Sequence, residues 1–406
     1  MLKMVGNKMN KKRDKQKGSV LPLVMVFMMV FFLMLAFVVD ISWILNSRAQ
    51  LQNAADAAAL AAAAQLVDED ILYGSPNPID DIIEARDYAE MYAFYNKAAR
   101  RAITVDRNDL NEIEGGVVVG YISDPYDLDA PLEIDGMNGY NAVQVTTKFA
   151  HDLNGPLGLF LGAFTKVEDV EIGAKATAAI DDRVTGFALS EGETLDILPF
   201  TIYEQAWYAA LGLPSTCPSE TLQDNFAYID GVVYKNQSDG IPEIKLYPNK
   251  EDVCGVPSLP GNFGTIDIGS SNNSTADLAR QIRYGVTAED IAIIGGLMLT
   301  DEDGDGIFSK WFNGDTGVSA SIKDDLASII GEPRFITLYL NAYGQGNGAY
   351  YEIVKFVGVR IMEVVLTGKM SQKHVTVQPT FITAQHAIIN PNAPRSGYIY
   401  AIALVR

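Results

Sequence analysis

An acidic loop just after residue 300 holds the residues whose types and spacing best suit chemistry. Alternate positions carry Asp301, Asp303 and Asp305, and Gly306 and Ile307 follow. This D-x-D-x-D-G pattern matches the first part of a calcium loop, where alternate carboxylates direct oxygen ligands at one cation and glycine permits a sharp turn. Calcium, in a structural role, is therefore the one cofactor that the sequence predicts.

The second half of this loop departs from the calcium pattern. The predicted ligands are Asp301, Asp303, Asp305, Ile307 and Ser309. Position twelve, where a bidentate glutamate is expected, is Phe312, and Asp315 would substitute only in a longer loop. A solvated acidic turn therefore stays open as the alternative interpretation.

Groups typical of catalysis are sparse. The three histidines, His151, His374 and His386, lie outside any H-E-x-x-H pattern and have no cysteine nearby. The sequence contains neither a G-x-S-x-G nucleophile motif nor a P-loop. We therefore predict that the protein is not an enzyme.

Two further sets of residues allow alternatives. Cys217 and Cys254 are the only cysteines, and both lie among loop-forming residues, which favours one disulfide over two buried thiols. That bond would close a loop of about 38 residues and contribute about 3–4 kcal/mol. Tyr343, Tyr350 and Tyr351 flank a glycine-rich turn and would suit carbohydrate binding, although packing in core strands is the favoured use.

A membrane segment precedes all of these groups. Residues Val20 to Val39 form an unbroken apolar run, and about 20 helical residues span the roughly 30 Å of a bilayer's hydrocarbon. A cleaved signal peptide is the competing interpretation, but it would have a shorter run followed by small residues, whereas Asp40 and Trp43 follow here. Seven basic residues against Asp14 in the first 18 place the N-terminus in the cytoplasm and the rest of the chain outside.

The helix is predicted to continue beyond the membrane to Val67, because the chain there is rich in alanine and contains neither Gly nor Pro. Ala54, Ala58 and Ala62 form a face of small side chains that permits close approach of another element. That face would pack either on the protein's own ectodomain or on sister and partner helices, which includes self-association.

The segment from Gly18 to Leu23, the apolar run and the stretch from Arg48 to Ala61 (RAQLQNAADAAALA) resemble the N-terminal region of TadG-like proteins of the bacterial Tad (Flp) pilus-assembly system. Weaker similarity continues through Asn141–Val145, Phe160–Phe164 and Val170–Ala179. The resemblance implies a role in assembling or anchoring Flp pili at the cell envelope. A prepilin-like glutamate five residues after Gly18 is replaced by Leu23, so an uncleaved N-terminus is expected.

Some relatives of this family carry a von Willebrand factor A module with a D-x-S-x-S metal site. The stretch from Asp40 to Ile44 keeps only the first two elements of that motif and directly follows the membrane run, so we interpret it as a chance match.

The predicted architecture is α+β. Residues 1–18 form a cytoplasmic tail and 19–39 a transmembrane helix. Residues 40–182 form a TadG-like module with a long helix, a second helix from Ile79 to Ile103 ending near Arg100 and Arg101, and a small sheet. Residues 190–406 form a β-rich extracytoplasmic domain, with a helix predicted over Thr275–Tyr284 between the Ser274 cap and Gly285.

These observations predict a single-pass protein of the bacterial inner membrane with a periplasmic ectodomain, acting in pilus assembly or envelope anchoring through protein contacts. Its expected partners are the lipid bilayer and other pilus-assembly or envelope proteins. The net charge of −20 excludes nucleic acid, because such an acidic body repels phosphates. A surface-displayed adhesin or carbohydrate- or protein-binding module is the alternative, and a pilin-like subunit is the second.

Overall fold

The computed structural model describes residues 20–67, 78–162, 166–217, 223–246, 259, 264–269, 274–314, 320–369, 372–395 and 399–405. Its α-helices are α1 (Val20–Ala63), α2 (Pro78–Tyr95), α3 (Glu204–Ala210), α4 (Thr275–Tyr284), α5 (Ala288–Ile293) and α6 (Lys323–Ala327). Short 3-10 turns occur at Ala64–Leu66, Ala320–Ile322 and Gly346–Gly348.

The strands fall into two groups along the chain. The first group is β1 (Val117–Gly120), β2 (Ala142–Phe149), β3 (Leu157–Gly158), β4 (Asp169–Val170), β5 (Ile172–Asp181), β6 (Val184–Phe187), β7 (Thr194–Leu195), β8 (Ile197–Tyr203), β9 (Phe226–Ile229), β10 (Val232–Lys235) and β11 (Ile244–Leu246). The second is β12 (Val286–Thr287), β13 (Leu297–Met298), β14 (Lys310–Asn313), β15 (Pro333–Tyr343), β16 (Tyr350–Val365), β17 (His374–Thr380), β18 (Ile382–Thr383), β19 (Ala387–Ile389) and β20 (Ile399–Leu404).

The long helix α1 has two parts with different surroundings. Its apolar part is exposed, and among the described residues Val20–Leu66 is the helix long and apolar enough to cross a membrane. Its alanine-rich part packs on β2, β5 and α2. Ala54, Ala58 and Ala62 are fully buried there, so this face lies against the chain's own N-terminal module. Self-association through the helix would have to use other residues.

The second helix ends earlier than the sequence predicts. α2 stops at Tyr95, where the Asn96 side chain donates to the Tyr92 carbonyl, and the chain then turns through positive φ at Ala99 and Arg100. The prediction that Arg100 and Arg101 lie at the helix end is therefore wrong. Arg101 instead lies over the Phe149 ring at 4.0 Å, a tertiary contact that local propensity does not encode.

The sheet of the N-terminal module is completed by the end of the chain. Its strand order is β1-β2-β5-β20-β18, and β20 pairs antiparallel with β5 between Ala401–Asp181 and Leu404–Ala178. The sequence predicts one module over residues 40–182 and a separate domain over residues 190–406. This prediction is corrected here, because the last strand of the chain belongs to the sheet of the first module. The reason is that β5 would otherwise present an unpaired edge beside a buried core.

The C-terminal region is built on a six-stranded sheet of order β11-β17-β16-β15-β8, with β14 also paired to β16. Helices α3, α4 and α6 contribute Trp207, Ile282 and Leu326 to the core on this sheet. A further core includes Phe187, Phe335 and Phe356 from strands β6, β15 and β16. The α+β class with a β-rich C-terminal part is confirmed, and α4 begins at the Ser274 cap and ends at Gly285 as predicted.

A substitution on the buried alanine face tests this packing. Ala58→Leu is expected to lower the free energy of unfolding of the N-terminal module by about 1–3 kcal/mol, because extra methyl groups must enter a filled core. Chemical denaturation followed by circular dichroism measures the effect. The matched control is Ala57→Leu on the same helix, where the side chain is half-exposed and little change is expected. Equal effects at both positions would contradict the packing.

Candidate functional site

The junction between the apolar run and the folded part of the chain is the first candidate site. Asp40 follows the run directly and is buried, and its carboxylate accepts hydrogen bonds from the backbone N–H groups of Phe160 (2.8 Å) and Leu161 (3.0 Å). The Trp43 ring meets the Phe160 ring edge-on, with centroids 5.8 Å apart. The carboxylate that resembles the start of a metal motif thus fastens a distant loop to α1 at the end of the membrane run.

The acidic loop is a hairpin tip between β13 and β14, closed by a bridge between Thr300 and Ser309. The Asp301 carboxylate accepts from the backbone N–H groups of Gly304 (2.7 Å), Asp305 and Gly306, and Asp305 accepts from Ile307. Within the described ranges, no group of three or more His, Cys, Asp or Glu side chains is placed to hold a metal ion. Phe312, at position twelve, is buried, and Asp315 lies outside the described residues.

Calcium binding by this loop stays a prediction, and Asp303 is the residue that tests it, because the loop's backbone hydrogen bonds use Asp301 and Asp305. With millimolar calcium, Asp303→Ala is expected to have a lower melting temperature than the wild type, by the equivalent of about 1 kcal/mol of stability. With chelator present, the variant and the wild type are expected to melt at the same temperature. Glu302→Ala, one residue away and not a predicted ligand, serves as the control. Equal shifts with and without chelator would reject the site.

The tyrosines near the glycine-rich turn divide between two environments. Tyr351 is buried, as core packing requires, but Tyr343 and Tyr350 are exposed and stack on each other at 5.4 Å. The Trp311 ring lies 5.1 Å from Tyr343 and lines a cavity of about 370 Å³ together with Glu352 and the acidic loop. The prediction that Tyr343 and Tyr350 pack in the core is therefore wrong, because each lies on the face of its strand that is exposed to solvent.

The cysteine pairing stays a prediction. Cys217 is buried beside the core that contains Trp207, at the end of a described segment. Cys254 lies outside the described residues.

Glu243 is a buried carboxyl that sequence reasoning missed. Its two oxygens accept from the backbone N–H groups of Asn225 (2.9 Å) and Phe226 (3.1 Å). Burial raises the pKa of Glu243 to about 7, with smaller contributions from Asp224 and Asp239, while the two N–H groups oppose the shift. Nothing in the local sequence distinguishes this glutamate from the many exposed ones.

The raised pKa of Glu243 predicts a pH-dependent stability. A folded-state pKa above the unfolded value of 4.5 adds stability that is complete below about pH 4.5 and is lost as the pH rises through about 7. The unfolding free energy of the wild type is expected to fall as the pH rises from 5 to 8. In Glu243→Gln this fall is expected to be smaller by on the order of 2 kcal/mol, because the titrating carboxyl is gone. Urea titrations at each pH measure it, and Glu289→Gln, at an exposed helix start, should leave the slope unchanged.

Comparison with known proteins bears on the N-terminal part. Residues 18–65 match the family model described as putative Flp pilus-assembly TadE/G-like, which confirms the resemblance over the membrane run and the alanine-rich helix. This domain is a pilus-assembly component and not a known enzyme family. No curated protein and no solved structure was found to match the chain. Residues 18–65 are thus similar to a pilus-assembly domain, and among the described residues the helix Val20–Leu66 is long and apolar enough to serve as an N-terminal membrane anchor.

Proposed function

We propose that this protein is an accessory or structural component of Tad (Flp) pilus assembly, held in the bacterial inner membrane and acting through protein contacts. The match of residues 18–65 to the pilus-assembly domain carries the proposal. The lysine-rich tail before the span favours a cytoplasmic N-terminus and a periplasmic ectodomain, because positive residues stay inside. A reporter fused after Arg406 that is active only in the cytosol would contradict this orientation.

The outer face of α2 supports action through protein contacts. Apolar side chains are exposed along it, namely Ile79, Ile83, Tyr88, Met91, Tyr92 and Tyr95. Exposed apolar side chains in this number, on a helix whose other face is buried by alanines, favour a surface that binds other proteins. We take this face, rather than the buried alanine face, as the contact with other pilus-assembly proteins.

A deletion strain tests the proposal. Loss of the gene is expected to abolish Flp pili on the cell surface, and the wild-type gene is expected to restore them. A variant with Ile83→Asp and Tyr95→Asp should fail to restore pili, whereas Tyr284→Asp, equally exposed but on another helix, should succeed. Normal piliation in the deletion strain would overturn the proposal.

Photocrosslinking identifies the partner directly. A benzophenone residue at Tyr95, which is 71% exposed, is expected to capture a pilus-assembly protein in intact cells, and the same probe at Tyr284 is expected to capture none. Indistinguishable products at the two positions would contradict the α2 contact.

The second candidate function is a surface-displayed binding module, and the exposed cluster of Trp311, Tyr343 and Tyr350 is the observation that favours it. Exposed aromatic rings beside a polar cavity suit a carbohydrate. A deletion strain with intact pili but weaker attachment would support this candidate. A pilin-like subunit would instead have a mature N-terminus at Ser19, which mass spectrometry of the purified protein detects.

A further inference from the structure

Asp40 determines where the β3–β4 loop lies along α1, relative to the apolar run. The name β3–β4 loop is used for residues 159–162 and 166–168. The Asp40 carboxylate holds the backbone of Phe160 and Leu161 through two hydrogen bonds. Side chains of a helix tilt toward its N-terminus, so this carboxylate points from the end of the run back along it. The loop backbone therefore lies at the edge of the apolar run and not above it.

The exposure of residues along α1 supports the same position of the loop. Every described residue from Val20 to Val39 is exposed except Ala36, which is half-buried. Ala36 lies one helical turn before Asp40 and so on the same face of the helix. On the face of α1 that carries Asp40, exposure therefore begins to fall at Ala36, at the edge of the part of the helix that is apolar enough to sit in lipid.

The side chains that the loop presents to solvent are apolar. Phe160 is 67% exposed and Val167 is 53% exposed. Trp43, which contacts the Phe160 ring, is of the residue type that prefers the membrane–water interface. Lys166 and Glu168 are exposed beside them, so the described part of the loop carries no net charge that would repel an anionic lipid surface.

We propose that the β3–β4 loop is a second membrane contact, with Phe160 and Val167 inserted at the boundary between the lipid headgroups and the hydrocarbon. The inference rests on α1 crossing the bilayer and is independent of the pilus role. The occupant is lipid because the loop is fastened beside the membrane span itself, at the depth where hydrocarbon begins. Two contacts, one helix and one loop, fix the tilt of the ectodomain relative to the membrane.

Photocrosslinking to lipid tests this contact. The full chain is placed in nanodiscs of phosphatidylethanolamine and phosphatidylglycerol, with a benzophenone residue at position 160. Position 31, within the span, is the positive control, and position 284 is the negative control, because Tyr284 is as exposed as Phe160 at 67%. Lipid adducts at position 160 are expected to exceed those at 284 by roughly tenfold, as at an interfacial site.

Three results would overturn the inference. Adducts at 160 no more abundant than at 284, with strong labelling at 31, would show that the anchor spans the membrane while the loop stays clear of it. Absent labelling at 31 would remove the anchor on which the loop contact depends. Crosslinking in intact cells from 160 to a protein instead of lipid would assign the loop another partner.

A substitution of Asp40 tests the positioning. Asp40→Ala removes both hydrogen bonds to the loop and is expected to reduce lipid labelling from position 160 several-fold, while labelling from position 31 is unchanged. Circular dichroism confirms that the variant is folded. Undiminished labelling at 160 in a folded Asp40→Ala variant would show that this carboxylate does not set the loop's depth.

Discussion

A chain that ends after Arg395 is expected to lose its folded N-terminal module, although the deleted residues are the most distant from it in sequence. The deletion removes β20, which pairs with β5 on one side and with β18 on the other. Ile399 is fully buried in the core with Phe187 and Phe335, while Tyr400 and Ile402 pack against the core of the alanine-rich helix. One strand thus contributes to two cores.

The expected loss exceeds what a domain of ordinary stability can tolerate. Removing a single buried isoleucine side chain costs about 2–5 kcal/mol, and the strand's ladder bonds and the newly exposed edge of β5 add to it, against a typical total of about 5–15 kcal/mol. Limited proteolysis of the purified protein measures the result. A chain ending at Val405, which lacks only Arg406, is the control. A protease-resistant N-terminal module in the shorter chain would contradict the role of β20.

Arg183→Ala is expected to destabilise the protein by about 3–5 kcal/mol, because it leaves the Asp181 carboxylate buried without its counter-ion. The Arg183 guanidinium donates to both oxygens of Asp181, at 2.9 Å and 2.6 Å, and to the Pro391 carbonyl at 3.0 Å. The hydrogen bonds and ion pair with Asp181 raise the pKa of Arg183, although burial of the guanidinium opposes the shift. This group joins the end of β5 to the C-terminal region.

Thermal denaturation measures the effect of Arg183→Ala. Two further variants test whether the loss comes from the buried, unpaired carboxylate. Removing both charges with Asp181→Asn and Arg183→Met is expected to recover part of the loss, because the penalty comes from the unpaired carboxylate more than from the missing pair. Arg107→Ala breaks partly exposed ion pairs with Asp87, Glu90 and Asp109 and should cost no more than about 1 kcal/mol. A loss at Arg183 as small as that at Arg107 would show that the buried pair contributes little.

Both predictions concern the way the N-terminal module is fastened. The helix α1 leaves the membrane without a break and becomes the centre of the module's core, and the module in turn is closed by the last strand of the chain. The ectodomain is therefore attached to the anchor through packing along the helix as well as through the chain.

Much of this structure is present in local sequence patterns. The apolar run, the alanine-rich continuation to residue 66 and the capped helix α4 all follow from propensities and periodicities within single segments. The extended β16 and β17 follow from their β-branched content. Even the small-residue face of α1 was identifiable, because its spacing along the helix is a local property.

What covers that face was not identifiable, since the sequence allowed both the ectodomain and a sister helix. The same is true of β20, whose partner lies more than two hundred residues earlier, and of Asp40, which meets Phe160 across 120 residues. The course of the chain after α2 likewise depends on another segment, because Arg101 lies over the Phe149 ring.

The sequence by itself determined which segments are helix, strand or membrane span, because those choices are set by interactions among residues a few positions apart. The tertiary structure alone decided which surfaces meet. Pairing between distant segments depends on the shape and burial of both partners at once, and a carboxylate or a tyrosine carries no local mark of whether it will be buried.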